Sequence, residues 1–368
     1  MFEVLIILVL TSTLCAINGT FLVLRRISMI ADAISHSVLL GIVLAFFIVR
    51  EVGSPLLQVG AALFGIITVY FVEKISNGLS IKRDHAIGIV YTIFFALAIV
   101  LISKFIRNAH IDTEVVLLGE ILFQPLNRMN FMGFDLPVKT VHMSFLLIIN
   151  IVLLILFFKE IKLATFDEEY AKLTGIKTRI IFYTLMMITS FNTVTAFDTI
   201  GAILVISFMI APAASSYLIT KDLKITIIVS VIYGTLNSLI GFGISNLFNV
   251  SMSGAAAVSG LSTFLMTVVF YRGGLITQAI TKRRKLKNLN DTIILLHIYN
   301  HSNDEEELTE LGVDSISDHL GWSKPLTRKR IGSLIDSGEV EIDDVFKYYK
   351  LTHLGKQRAE ELRIEYNY

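Results

Sequence analysis

The chain has 368 residues, of which 54% are hydrophobic and only 17% charged, with a formal net charge of +1 and a mean hydropathy of +0.69. So little charge cannot cover the surface of a soluble domain of this size, which excludes a soluble globular protein and directs most of the chain into a membrane. The net charge averages two unlike regions and says nothing about partners, and the one cysteine, Cys15, lies in an apolar run, which excludes a disulfide framework.

The apolar residues come in runs. About nine segments, near residues 4–23, 27–49, 55–72, 86–103, 142–158, 180–197, 200–219, 225–247 and 254–271, approach the ~20 residues a helix needs to cross ~30 Å of hydrocarbon. The expected fold is an all-α polytopic bundle. The first run lacks a basic segment ahead of it and is followed by Arg25 and Arg26, as a membrane helix is at its cytoplasmic end and a cleaved leader is not. Basic residues such as Arg25, Arg26, Lys82, Arg83, Lys159 and Lys162 fall in alternate loops, while the opposite loops hold only Arg50, Lys104, Arg107, Arg128 and Lys139. That asymmetry puts the N-terminus outside and the C-terminus in the cytoplasm of a multi-pass cell-membrane protein. Residues 104–141, with Pro125 and Pro137 around the apolar stretch 114–123, are expected as an outer loop with a re-entrant or interfacial helix. His110, Asp112 and Glu114 alternate there, a spacing that suits neither one helical face nor a metal motif, and they are expected to be plain solvated side chains.

Past residue 271 the character changes. Residues 1–280 form the membrane domain, 281–290 a basic linker (Lys282, Arg283, Arg284, Lys285, Lys287) suited to anionic lipid, and 291–368 a small soluble domain. In that domain 293–298 opens a helix and 315–320 forms a second. Gly321, Trp322 and Ser323 turn the chain, with Ser323 as N-cap and Pro325 in the next helix, whose buried face is Leu326, Ile331, Leu334 and Ile335. Residues 340–342 and 345–351 flank Asp343 and Asp344 as a hairpin, and 354–363 closes the unit. This order is that of a cytoplasmic winged helix-turn-helix.

Asp32 and His36 carry the most information. Four residues apart within the second apolar run, they share one helical face. Burying both in a membrane is costly, so such residues usually face a cavity and a ligand, and a carboxylate with an imidazole suits manganese, iron or zinc. One chain offers too few ligands; two subunits about a two-fold axis offer twice as many. The competing reading is that Asp32 caps a helix and His36 makes a structural hydrogen bond. Asp198, between two apolar runs, either lines an entrance, contributes a ligand or caps the next helix. In the loop 159–179, Phe166, Asp167, Glu169, Ala171 and Gly175 belong to a short capped helix, either a lever driven by a soluble partner or an ordinary connection. No phosphate loop is present: Gly355-Lys356 is the one Gly-Lys candidate, and Lys350 stands where its earlier glycine is needed. Energy is therefore expected from another chain or an ion gradient, and the chain is expected to be a transporter and not an enzyme, with no permanent cofactor.

These residues carry a resemblance. Asn18-Gly19-Thr20-Phe21-Leu22-Val23-Leu24-Arg25-Arg26 running on to Asp32-Ala33-Ile34-Ser35-His36-Ser37, with Ala86-Ile87-Gly88-Ile89, Gly201-Ala202-Ile203-Leu204-Val205 and Ala211-Pro212-Ala213-Ala214, resembles the metal-ion permease family of ATP-binding cassette importers over roughly residues 1–280. The Glu169-x-Ala171-x-x-x-Gly175 pattern resembles the loop with which such permeases grip their ATPase. The resemblance implies a permease dimer, identical or paralogous, with cytoplasmic ATPases that use the ATP and an extracytoplasmic metal-binding protein. It implies the helical bundle shared with cobalamin and siderophore permeases, with Asp32 and His36 on the metal path and Asp198 where relatives often carry an acid or amide.

Residues 315–368 resemble the winged-helix domain of manganese- and iron-dependent repressors through Ser317-Asp318-His319-Leu320-Gly321 and Leu351-Thr352-His353-Leu354-Gly355. Lys324, Arg328, Lys329 and Arg330 give its recognition helix a basic start. Residues 291–368 nevertheless hold nine Lys/Arg against sixteen Asp/Glu, a net −7 that opposes binding to phosphate backbones. A regulatory or protein-docking role is therefore favoured over DNA. The expected function is import of a divalent transition metal ion. The alternatives are a membrane-tethered, metal-responsive transcriptional regulator and a permease for a metal chelate such as a siderophore.

Overall fold

Backbone in hydrocarbon must satisfy its own polar groups, so each apolar run folds as a helix. The structure, a computed structural model, describes residues 1–51, 54–105, 121–131, 133–271, 273–302, 307–343 and 345–365. The chain divides into two compact units, Met1–Arg272 and Gly273–Tyr368. In the first unit the helices are α1 (Phe2–Leu24), α2 (Met29–Val49), α3 (Pro55–Leu79), α4 (Arg83–Phe105), α5 (Val138–Leu156), α6 (Phe158–Phe166), α7 (Glu168–Leu173), α8 (Thr178–Ile200), α9 (Ala202–Ile219), α10 (Leu223–Phe248) and α11 (Met252–Phe270). Among the described residues, nine helices are long and apolar enough to cross a membrane. Each matches an expected span. The largest difference is α3, which runs on past residue 72 through a polar stretch to Leu79, because hydropathy registers the hydrocarbon and not the end of the helix.

Helix α1 is the most buried of the nine and packs against α5, α9 and α10. Lipid offers no hydrophobic drive to pair helices, so close approach through small residues does the work. A Cβ on Gly19 of α1 would run into the backbone carbonyl of Met209 on α9, and one on Gly41 of α2 would meet the carbonyl of Gly60 on α3. Helix α2 is thereby held between α3 and α4.

The helices alternate between two ends of the bundle. At one end Arg25, just after α1, donates to the carbonyl of Ala164 (3.0 Å) and reaches Thr165 Oγ1 (3.4 Å) beside α6. At the other, a short 3₁₀ helix (Ile121–Leu126) leads into an antiparallel hairpin, β1 (Arg128–Phe131) with β2 (Phe134–Pro137), turned at Gly133 with φ +87°. Arg128 pins it, bonding Asp135 Oδ2 at 2.7 Å and Glu3 of α1 at 3.1 Å. Here the outer segment differs from expectation: a hairpin takes up its second half, where Asn130 pairs with Asp135 and Gly133 supplies the positive φ of the turn. Residues 106–120, which include His110, Asp112, Glu114 and most of the expected re-entrant stretch 114–123, lie outside the described residues.

The second unit contains α12 (Leu275–His301), α13 (Glu307–Glu310), α14 (Ile316–His319), α15 (Lys324–Asp336), β3 (Val340–Ile342), β4 (Tyr349–Leu351) and α16 (His353–Glu365). Residues 281–290 are helical, within α12. Ile294, Leu295, Ile298, Leu311, Ile331 and Ala359 are among the side chains of its own core. Gly321, at φ +65°, turns the chain after α14, and Pro325 sits in the first turn of α15. Two details differ from the sequence reading. Leu326 is exposed while Thr327 is buried, so the inner face of α15 runs 327, 331, 334. Strand β4 starts only at Tyr349 because Asp343 Oδ1 accepts from the amides of Val345 and Phe346 and folds them into a turn.

Candidate functional site

Successive turns at the start of α2 bring Asp32 and His36 together. His36 Nε2 lies 3.5 Å from Asp32 Oδ1, and the two side chains remain 32% and 36% exposed in the single chain, so an ion can reach both. Ser28, not Asp32, occupies the N-cap. Asp32 still gains from the positive end of the helix dipole. His36 makes no structural hydrogen bond through its second nitrogen: Nδ1 is buried without a partner. Its ring lies nearly parallel to Tyr91 of α4, centroids 5.4 Å apart at 25°, and meets Phe95 edge-on at 5.3 Å and 70°. Sequence reasoning missed these two aromatics. Their four-residue spacing was the only available signal, and nothing in it named His36 as the neighbour.

Asp198 is not brought to this pair. It sits in the last turn of α8, at the hairpin end of the bundle, whereas Asp32 opens α2 at the other end. It caps nothing: the N-cap of α9 is Gly201, which makes no side-chain cap. Its carboxylate instead forms an ion pair with Lys139 of α5 and accepts from Gln58 of α3 at 3.2 Å, while its carbonyl accepts from Gln124 at 3.1 Å. Lys139 is buried. A lysine in the first turn of an apolar helix was a legible signal, counted in the sequence only as loop charge. No group of three or more His, Cys, Asp or Glu able to hold a metal occurs among the described residues. A cavity of about 190 Å³ lies elsewhere, between α1, α5 and α8, and is lined by apolar side chains with Asn18, Asn150 and Thr184.

At the Arg25 end, α6 stops at Phe166 and α7 begins with Asp167 as N-cap, its carboxylate accepting from the amide of Tyr170 at 2.9 Å. Ala171 is fully buried, Glu169 is exposed, and Gly175 leaves the helix at φ +82°. Lys172 Nζ, 2.7 Å from Glu168 Oε1, holds that carboxyl below its ordinary value. Phe166, Tyr170 and Leu173 present exposed apolar surface around this short helix.

In the second unit Lys324, Arg328 and Lys329 are exposed on α15. Arg330 is half-buried, with Nε shielded from solvent and without a hydrogen bond, in the field of Asp291.

Three comparisons bear on this arrangement. A zinc transport system membrane protein, TroD of Treponema pallidum, is 36% identical over 340 residues, covering 92% of this chain and 93% of that protein. A manganese transport system membrane protein, MntD of Bacillus subtilis, is 39% identical over 287 residues, 77% of this chain and 94% of that protein. Among solved structures, PsaBC from Streptococcus pneumoniae in complex with Fab superposes with a TM-score of 0.61 at 30% identity, covering 73% of this chain and 90% of that one. The family model described as ABC 3 transport family matches residues 1–272, the whole helical bundle that holds Asp32, His36 and α7, and the chain belongs to that family.

Proposed function

We propose that the chain is the membrane permease subunit of an ATP-binding cassette importer that carries a divalent transition metal ion, manganese, zinc or iron, into the cytoplasm. The observation that carries this reading is the acid–imidazole pair on one face of α2, 3.5 Å apart and open to approach. An intramembrane pair of this kind is costly unless it meets a ligand, and its donor set suits these metals. Relatives named for zinc and for manganese transport support it. One chain supplies two ligands, so a second permease, identical or paralogous, completes the site across a two-fold axis.

In this reading the N-terminus and the hairpin lie outside, and α6–α7 and the second unit lie in the cytoplasm. An extracytoplasmic metal-binding protein docks at the hairpin end and releases the ion past Asp198. The ion passes to Asp32 and His36, whose charge and lone pair offset lost hydration while leaving the ion free to depart. A separate ATPase grips the α6–α7 corner through Phe166, Tyr170 and Leu173, and its closure opens the cavity inward. Residues 291–368 form a winged helix-turn-helix domain behind the segment 281–290. Helices followed by a hairpin and a closing helix support that reading, and the net charge of −7 favours docking to protein over DNA. The test is Mn²⁺ and Zn²⁺ uptake by the reconstituted complex. His36→Ala and Asp32→Asn are expected to cut uptake at limiting metal at least tenfold. Unchanged uptake in both variants overturns the assignment and leaves the chelate-permease alternative.

A further inference from the structure

The His36 ring is not free to choose its orientation. Tyr91 covers one face at 5.4 Å and 25°, and Phe95 abuts it at 5.3 Å and 70°. Both come from consecutive turns of α4, which packs along α2. The consequence is chemical as well as steric. Nδ1 is buried without a hydrogen-bond partner, while Nε2 points to Asp32. Histidines that hold resident metals nearly always donate their other N–H to a carboxylate or carbonyl, which fixes the ring and strengthens the ligand, and loss of that partner costs about 10–100-fold in affinity. Here aromatic packing replaces that acceptor. The ring stays oriented while the ligand stays weak, a combination that suits an ion in transit better than one in storage.

We propose that Tyr91 and Phe95 are positioning residues for metal transport: they clamp His36 so that Nε2 alone, beside Asp32, meets the ion. The proposal rests on the assignment of Asp32 and His36 to the metal path. Tyr91 acts through its ring and not its hydroxyl, so the conservative change Tyr91→Phe keeps the clamp. Removing either ring frees the imidazole to rotate, which weakens capture of the ion without touching the ATPase or the opening of the bundle.

The experiment measures Mn²⁺ uptake against metal concentration in proteoliposomes holding the full complex. Tyr91→Leu and Phe95→Leu are each expected to raise KM about tenfold with the maximal rate kept, and Tyr91→Phe to match the wild type. In a His36→Ala background, Tyr91→Leu is expected to add nothing, because the clamp has no ring to hold. Unchanged KM in both leucine variants overturns the clamp, as does a further loss from Tyr91→Leu without His36, which marks a purely structural role. A variant that fails to fold shows itself as a fall in maximal rate, and Tyr91→Phe then reads whether the ring or the hydroxyl matters. His36→Ala alone separates the two claims: if it leaves uptake unchanged, the metal path itself is misassigned; if it raises KM while the leucine variants do not, only the clamp fails.

Discussion

Lys139 is 8% exposed, and the group that satisfies it is the half-exposed carboxylate of Asp198. Removing one partner of such a pair leaves a charge without compensation, whereas replacing both with apolar groups is often neutral. Asp198→Asn is therefore expected to cost about 1–2 kcal/mol of stability, discounted from a fully buried pair because Asp198 faces solvent on one side. Lys139→Met in the same chain is expected to restore most of it, as thermal unfolding in detergent would register. Metal uptake by Asp198→Asn is expected to keep its KM within about twofold, since a carboxylate already neutralised by lysine attracts a cation weakly; a tenfold rise would make Asp198 a ligand after all. The acid–imidazole pair of α2 was legible because helical spacing alone places residues 32 and 36 on one face. The surroundings of each site were not. Tyr91, Phe95, Gln58 and Lys139 lie on other helices, and which helix packs on which is decided by contacts such as Gly41 against Gly60, which leave no periodic trace.

Helix α7 separates packing from docking within six residues. Ala171 is fully buried, and Leu173, two residues on, is 85% exposed. Leu173→Asp is expected to leave the melting of the purified permease unchanged yet lower ATPase co-purification and uptake at least tenfold. Ala171→Glu is expected to damage both, because a longer, charged side chain has no room and no partner there. If Leu173→Asp retains the ATPase, the helix is an ordinary connection. The close-packed pairs make a parallel case: Gly19→Val drives its side chain into the Met209 backbone and is expected to cost about 1–3 kcal/mol or prevent assembly of α1 against α9. The helix itself was readable, from Asp167 at its start and Gly175 at its end. The hairpin at 128–137 was not, because a two-stranded element of four residues per strand lacks the length for a period-two pattern to stand out.

At the scale of the whole molecule, the spans of the first unit were legible as nine apolar runs, and the second unit begins where the hydropathy of the sequence falls. The second unit also carries a pH dependence of its own. Burial pushes the His297 imidazole below its ordinary value, and nearby His301 and His319 push the same way, against Glu310. His301 is itself engaged, its Nδ1 2.5 Å from Glu310 Oε2. In the unfolded unit His297 takes up a proton near pH 6.5, while in the folded unit it does so only at lower pH. Below about 6.5 the unfolded state therefore binds more protons, and stability falls as pH drops toward the folded value; above it the contribution is constant. Asp291 works in the opposite sense, since burial raises its carboxyl and the folded unit keeps that proton to higher pH. The chain has a single tryptophan, Trp322, packed against the core of this unit, so its fluorescence reports this unit within the full chain in detergent. The urea midpoint is expected to be lower at pH 5.5 than at pH 7.5. His297→Gln is expected to flatten that difference, and Asp291→Asn to leave or enlarge it. Equal midpoints in the wild type, or a difference that survives His297→Gln, would show that another group governs the transition.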